Sequence, residues 1–461
     1  MKNPLIINLQ SQPFKFSKTK GGLLVVTLFC FVLMITLDYD NDYVLTALLP
    51  LAYFILLLLC VGRKILNNGL GTVALLFFYC FRMCILPVIC ALGNFYLEPN
   101  KSDYIHKYNI GIYLTIFEAI VVFLSLSYFC DYYGKKDIVD KFFSKDNNKH
   151  RLLLLVTGAL TVFIILVCFL YQISYFHFIT EEAAEILVDD VLPHQEMHTM
   201  WYITDLVCTL WRPLFSFILI YKLLSMKKKR KAYILISLIA LINILFMSDR
   251  RIFALLVGGF CFYYLMTLLK SKMAKRCVQI FIVICTFFTI LYCFYGSMTT
   301  GLWVVARTFQ RYFSGPTLTA MALEVNDNIG LQFSDFFKLL LNDFQLYTGL
   351  MGAFSLPDYY YPIFGMSKGI WTPMVAGSLR YFGFFFPIVI ICFVRYIVNC
   401  DYNARRTNDK LYKMLYSYLG VTVSCYMIMY SVELIVYFIL STALIYRILI
   451  LLDARRIKFL G

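Results

Sequence analysis

The sequence predicts an all-α, polytopic integral membrane protein of about twelve transmembrane helices, folded as a single membrane domain over residues 1–461 with two long extracytoplasmic loops. Three observations predict it. The chain is 61% hydrophobic and only 15% charged, with a mean hydropathy of +0.74, whereas a soluble domain is about half apolar and about a quarter charged. Apolar runs of about 20 residues recur along the whole length, each able to cross a hydrocarbon core of roughly 30 Å. Lysine and arginine are concentrated in alternate loops, the pattern that sets orientation in a bilayer.

The expected spans cover roughly 21–37, 43–62, 70–92, 110–129, 152–171, 205–224, 233–247, 252–269, 277–295, 381–398, 414–430 and 432–452. The first has no small-residue cleavage site and another apolar run follows at once, so it reads as a retained span and not as a signal peptide. The last two are joined so closely that they form a tight hairpin.

Placing the N-terminus in the cytoplasm puts Lys2, Lys15, Lys18 and Lys20 inside, with "GRK" at 62–64, the 131–151 loop, "KKKRK" at 227–231, "KSKMAKR" at 270–276, the 395–413 loop and the "DARRIK" tail. These inner segments hold most of the 42 lysines and arginines and few of the 27 acids. Both termini are therefore expected in the cytoplasm. The formal charge of +15 is mainly this topology signal and gives no support to nucleic-acid binding. The 15 cysteines fall in spans or on the inner face, so no disulfide is expected across the outer loops. Cys80, Cys84 and Cys90 read as small packing residues.

Against this bias, Arg250, Arg251, Arg307, Arg311 and Arg380 fall on the outer side, clustered around spans seven to ten, and Arg82 and Arg212 fall within spans. A guanidinium offers paired donors that match a phosphate or a carboxylate bidentately. Several of them at a membrane surface point to an anionic, lipid-borne substrate. The alternative for any one of them is an ion pair, such as Arg250 with Asp249, or snorkelling to headgroups. Arg82 and Glu118 lie at similar depth in adjacent antiparallel spans and are expected to form a structural pair, although an intramembrane charge is also a site candidate.

The long outer loops span about 172–204 and about 296–380. The first contains "HQEMH", with His194 and His198 one helical turn apart around Glu196. No third ligand accompanies them and the glutamate is at the wrong position for a zinc helix, so no metal is expected. A general base for a sugar hydroxyl is the better use, and a solvated acidic loop is the plainer one. In the second loop, Arg307 and Arg311 are spaced to share a helix face, and "SGP" ends that helix. "QFSDFFKLLLNDFQLY" reads as a short amphipathic helix at the interface. Trp303, Tyr360 and Trp371 suit either an aromatic belt or sugar stacking. "DYDND" at 38–42 could hold a divalent cation, but the loop is about five residues long and reads as a solvated turn.

This arrangement resembles the bacterial oligosaccharide repeat-unit polymerases, the Wzy family. "SDRRIFALL" resembles the family's short outward turn, "RTFQRYFSGP" its arginine-bearing segment opening the largest outer loop, and "TPMVAGSLRYFGFFFPIVI" its re-entry segment. In many members an aspartate precedes the aromatic-glycine pair of that segment; here Tyr381 occupies that place, with Arg380 before it. The resemblance implies a GT-C-like membrane fold in the bacterial cytoplasmic membrane. It implies an inverting glycosyltransferase that joins undecaprenyl-diphosphate-linked oligosaccharide units into O-antigen or capsule at the outer face. No cofactor, metal or nucleotide sugar is implied, and a flippase and a chain-length regulator are the implied partner proteins. On this reading Arg307, Arg311, Arg250 and Arg251 grip the departing diphosphate, His194, His198 and Glu196 supply the base, and Arg380, Arg212, Trp303, Tyr360 and Trp371 bind substrate. The rival readings are a polysaccharide ligase, which passes a finished glycan to another acceptor, and a flippase for lipid-linked sugars, which would be expected to have short outer loops and detectable repeats.

Overall fold

The computed structural model describes residues 16–37, 41–93, 105–136, 150–170, 195–225, 301–329, 333–343 and 373–459, with the isolated positions 258, 276 and 280. The side chains of some helical residues, among them Asp42, Glu196, His198, Arg307 and Arg311, lie outside the described set. The described chain is helical: α1 (Phe16–Thr36), a 3-10 turn (Asn41–Ala47) leading into α2 (Leu48–Cys60), α3 (Arg63–Leu66), α4 (Leu70–Cys80), a π turn (Phe81–Ile85), α5 (Leu86–Leu92), α6 (Ile105–Lys136), α7 (Arg151–Leu170) and α8 (Gln195–Ser225). Then come α9 (Leu302–Phe313), α10 (Pro316–Ile329), α11 (Phe333–Asp343), α12 (Met374–Phe382), α13 (Phe386–Arg406), α14 (Lys410–Met429), α15 (Val432–Phe438), a second π turn (Ile439–Ala443) and α16 (Leu444–Phe459).

Among the described residues, seven helical segments are long and apolar enough to cross a membrane: Thr19–Thr36, Tyr43–Cys60, Leu70–Leu92, Lys107–Lys135, Arg151–Leu170, Met374–Arg406 and Val432–Asp453. Each overlaps an expected span. The expected spans at 205–224 and 414–430 fall on α8 and α14, which are not among the seven. Those at 233–247, 252–269 and 277–295 lie outside the described residues. Large apolar side chains stand exposed on these segments, with Leu59 and Phe169 at 79% and Phe384 at 98%. Such surface is untenable in water over this extent and is at home in lipid. Hydroxyls inside the helices bond back one turn, as in Thr27 to the Leu23 carbonyl at 2.6 Å and Thr157 to the Leu153 carbonyl at 2.7 Å, which spares them an unsatisfied burial.

The chain divides into two compact units. The first comprises 1–140, 279–402 and 419–436, and the second 141–278, 403–418 and 437–461. In the first, α2, α4 and α6 meet where Tyr53, Tyr79, Tyr108 and Phe123 are fully buried. The π turn that contains Arg82 has a sequence cause. Pro87 has no N–H for the Met83 carbonyl and its ring crowds that carbonyl, and a local π adjustment is one way a membrane helix accommodates the freed group.

The segment expected as an outer loop at 296–380 contains a helical hairpin, α9–α10, that packs along the spans. α9 lies on α5 and α10 on α6. A Cβ added at Gly93 would stand 2.8 Å from the Leu302 carbonyl oxygen, and one at Gly111 would stand 2.9 Å from that of Pro316. Glycine at both positions lets the backbones approach this closely. α9 therefore runs back along α5 from the level of Gly93 toward the π turn, over about 18 Å at 1.5 Å per residue. Residues 313–322 are all buried. Positions 307 and 311, expected on a helix beyond the spans, thus fall on a helix that packs along α5. The amphipathic pattern fits packing on α5 as well as it fits an interface, and only the contacts choose between them.

α11 packs on α12 through Phe336, whose ring lies 5.7 Å from Tyr381 and 5.2 Å from Phe382. Phe333 and Phe337 stay about half exposed while Asp335 and Lys338 pair at 3.0 Å, so this helix is amphipathic as expected. Gly383, at φ 53° and ψ −129°, breaks α12 from α13. That left-handed φ favours glycine strongly.

In the second unit α7 packs on α8 and α16 on α7. The Trp211 indole N–H donates to Thr161 Oγ1 at 2.7 Å, and Pro213 lies inside α8.

Candidate functional site

The first unit's charged centre is built on the π turn. Arg82 and Glu118 are both fully buried. Arg82 Nη1 donates to both Glu118 oxygens at 3.0 Å, and the Tyr79 hydroxyl donates to Glu118 Oε1 at 2.6 Å. The pair expected between adjacent spans is therefore formed. Beside Tyr79 the pair has a further partner: Arg82 Nε donates to the Ser314 carbonyl at 3.0 Å. Ser314 is the tip of the α9–α10 hairpin and closes α9 in the left-handed region, at φ 45° and ψ 54°. Pro316 opens α10 where its missing N–H costs nothing. Arg82 lies near the middle of the Leu70–Leu92 segment, so the hairpin tip reaches that level.

At the other end of the hairpin, Lys107 pairs with Glu324 and Asp327. Between these two points Gln310 Nε2 approaches Cys90 Sγ at 3.0 Å, while Phe81 stacks against Phe313 with centroids 4.0 Å apart.

Arg307 and Arg311 occupy α9 one turn apart. Trp303 is on the same helix, 41% exposed. Arg380 is on α12 and buried, with its guanidinium carbon 5.8 Å from the Tyr381 ring centre. It acts electrostatically on Glu433, a half-buried residue whose Oε2 is shut off from solvent. Since α10 packs on both α6 and α12 and also meets α9, positions 307, 311 and 380 belong to one connected group of helices. The sequence reading missed Glu433. The available signal was a lone acid beside an apolar run long enough to span a bilayer.

Arg212, Glu196 and His198 fall on α8 in the second unit, with Arg212 buried just before Pro213. Arg250, Arg251, His194, Tyr360 and Trp371 lie outside the described residues, as do Asp38 and Asp40.

The second unit carries a cluster that no local motif announced. His150, buried at a left-handed φ of 28°, stands between two carboxylates, with Nε2 3.3 Å from Asp409 and Nδ1 3.6 Å from Asp453. Asp453 also accepts the Tyr412 hydroxyl at 2.5 Å and the Leu152 N–H at 2.9 Å. Asp409 caps α14 by accepting the Leu411 and Tyr412 N–H groups. Burial, and then the Asp453 hydrogen bond, push the Tyr412 hydroxyl well above its ordinary range. The two carboxylates face opposite ring nitrogens, so they do not converge on one ion. The arrangement ties the start of α7, the start of α14 and the end of α16 together.

Seven helical segments apolar enough to cross a membrane among the described residues, a lipid-compatible surface and a buried charge centre define the class: a polytopic helical membrane protein. Within that class, no family model, curated protein or solved structure matches this chain.

Proposed function

We propose that the protein is a polymerase that joins undecaprenyl-diphosphate-linked oligosaccharide repeat units into a surface polysaccharide, O-antigen or capsule, at the outer face of the bacterial cytoplasmic membrane. The observation that carries this reading is the connected group of helices bearing Arg307, Arg311 and the buried Arg380. Arginines held beside a bilayer suit a lipid diphosphate, whose oxygens take the paired donors of a guanidinium. An acceptor sugar hydroxyl attacks the anomeric carbon of the donor glycan. The new C–O bond forms as the bond to the diphosphate oxygen breaks, with inversion, and the leaving undecaprenyl diphosphate takes the electron pair. The hydroxyl proton passes to a general base. Arginine donors aimed at the leaving group stabilise the charge it gains. No cofactor or metal enters the scheme. A flippase would supply the substrate and a chain-length regulator would set product size.

The test is the surface glycan of cells carrying Arg311→Lys at normal membrane abundance. Lysine keeps the charge and loses the fork. Loss of a strong transition-state donor costs about 3–4 kcal/mol, on the order of a hundredfold or more in rate. The expected result is a glycan ladder collapsed toward single units, with Arg63→Lys, an exposed residue of α3, as the unaffected control. Normal ladders from both Arg307→Lys and Arg311→Lys would remove these residues from the diphosphate grip.

A second reading, a flippase for lipid-linked oligosaccharides, is favoured by the buried hairpin and the break at Gly383. Irregular backbone within packed spans is how many transporters form a central site. A deletion strain separates the two. Loss of a polymerase leaves single repeat units at the surface, whereas loss of a flippase traps lipid-linked units on the inner face.

A further inference from the structure

We propose that Arg82 is a positioning residue: through the Ser314 carbonyl it docks the Leu302–Ile329 hairpin and so sets the placement of the helix carrying Arg307 and Arg311. The role assigned to those two arginines rests on the polymerase reading. The docking itself does not.

A hairpin that turns inside a helical bundle ends one helix and begins another in apolar surroundings. The last carbonyls of a helix have no donor within it, and no water is at hand to replace one. At the end of α9 the left-handed residue Ser314 solves part of this. Its own N–H and that of Gly315, at 3.4 Å, both point to the Gln310 carbonyl. The Ser314 carbonyl is left for a donor from elsewhere, and Arg82 Nε supplies it at 3.0 Å. A cation at this end also opposes the negative end of the helix dipole.

The guanidinium is held for the task. Glu118 takes Nη1 with both oxygens and is itself fixed by Tyr79. Nη1 of Arg82 therefore faces the carboxylate and Nε faces the hairpin. A pair serving only to neutralise charge between the π turn and α6 would leave Nε without this use, and two apolar residues would serve packing as well. Position 311 lies three residues before the tip and 307 one turn further, so a displaced tip displaces both.

The experiment uses the full-length protein in native membranes, with Ser314→Cys as reporter and the other cysteines except Cys90 replaced. Ser314 is buried, so a water-soluble maleimide should label the reporter slowly. Arg82→Lys keeps the charge beside Glu118 but cannot present Nε and Nη1 to two partners at once. Labelling should rise about tenfold or more, the scale on which losing a charged hydrogen bond shifts a local opening equilibrium. The exchange Arg82→Glu with Glu118→Arg retains a buried pair but puts a carboxylate against the carbonyl, so labelling should stay high. Gln310→Cys, oxidised to a disulfide with Cys90, pins α9 to α5. In the Arg82→Lys background it should restore protection and, on the polymerase reading, the glycan ladder. Continued protection in Arg82→Lys and in the exchange, or no recovery on pinning, would overturn the docking role. A protection pattern as expected with no effect on any glycan would leave the docking standing and overturn the polymerase reading instead.

Discussion

Asp401 caps α4 from another helix: its Oδ2 accepts the Thr72 N–H at 2.7 Å and the Thr72 hydroxyl at 2.6 Å. Its Oδ1 accepts the Gly71 N–H at 3.0 Å. The first N–H groups of a helix have no partner within it, and here a carboxylate 329 positions away provides one. Gly69 makes room, since a Cβ there would stand 2.3 Å from Asp401 Cγ. Asp401→Ala removes the acceptor of the Gly71 and Thr72 N–H groups, the Thr72 hydroxyl and, at 3.4 Å, the Asn68 amide, and is expected to cost about 3 kcal/mol. Asp401→Asn, which keeps one acceptor oxygen, should cost about half as much. Apparent melting temperatures of the detergent-purified variants check the order. Equal melting of all three proteins would mean the cap contributes nothing.

Ser314 combines a left-handed φ of 45° with a buried Oγ that has no hydrogen-bond partner among the described residues. Both features are unfavourable in a residue with a side chain. Ser314→Gly removes both and is expected to raise stability by about 1–2 kcal/mol, measured as a higher melting temperature. A lower one would show that the hydroxyl contributes more to the hairpin tip than its removal relieves.

His150 and Asp453 tie the N-terminus of α7 to the end of α16. Asp453→Ala deprives the Tyr412 hydroxyl and the Leu152 N–H of their acceptor and His150 of a carboxylate. Breaking one member of a buried charged cluster costs about 3 kcal/mol or more. The variant should melt at a distinctly lower temperature, with Asp453→Asn between it and the parent. A parent-like melt for Asp453→Ala would make the cluster incidental to stability.

Orientation is tested at two exposed positions. Asp327, 68% exposed, belongs to the arginine-bearing hairpin, and Asn408 is exposed between α13 and α14. In a cysteine-free background, an impermeant thiol reagent on intact cells should label Asp327→Cys, and Asn408→Cys only after permeabilisation. The reverse pattern would invert the topology and place the arginines of α9 on the cytoplasmic side.

The membrane class was legible in the sequence because transfer of about 20 apolar residues into hydrocarbon is a local and nearly additive property. The seven candidate crossings among the described residues follow from it. Ser314-Gly315-Pro316 likewise announced the end of one helix and the start of another, because capping is decided within a few residues. The course of α9 was not legible. Its amphipathic face satisfies an interface and a packed groove equally, and the close approach at Gly93 and Gly111 decided for the groove. Nor was the partner of Arg82 Nε, a backbone carbonyl 232 positions away. The same holds for the cap that Asp401 lends to α4 and for the carboxylates around His150. Each of these contacts joins groups far apart in the chain, and its geometry exists only once helices have packed, so the tertiary structure alone decided them.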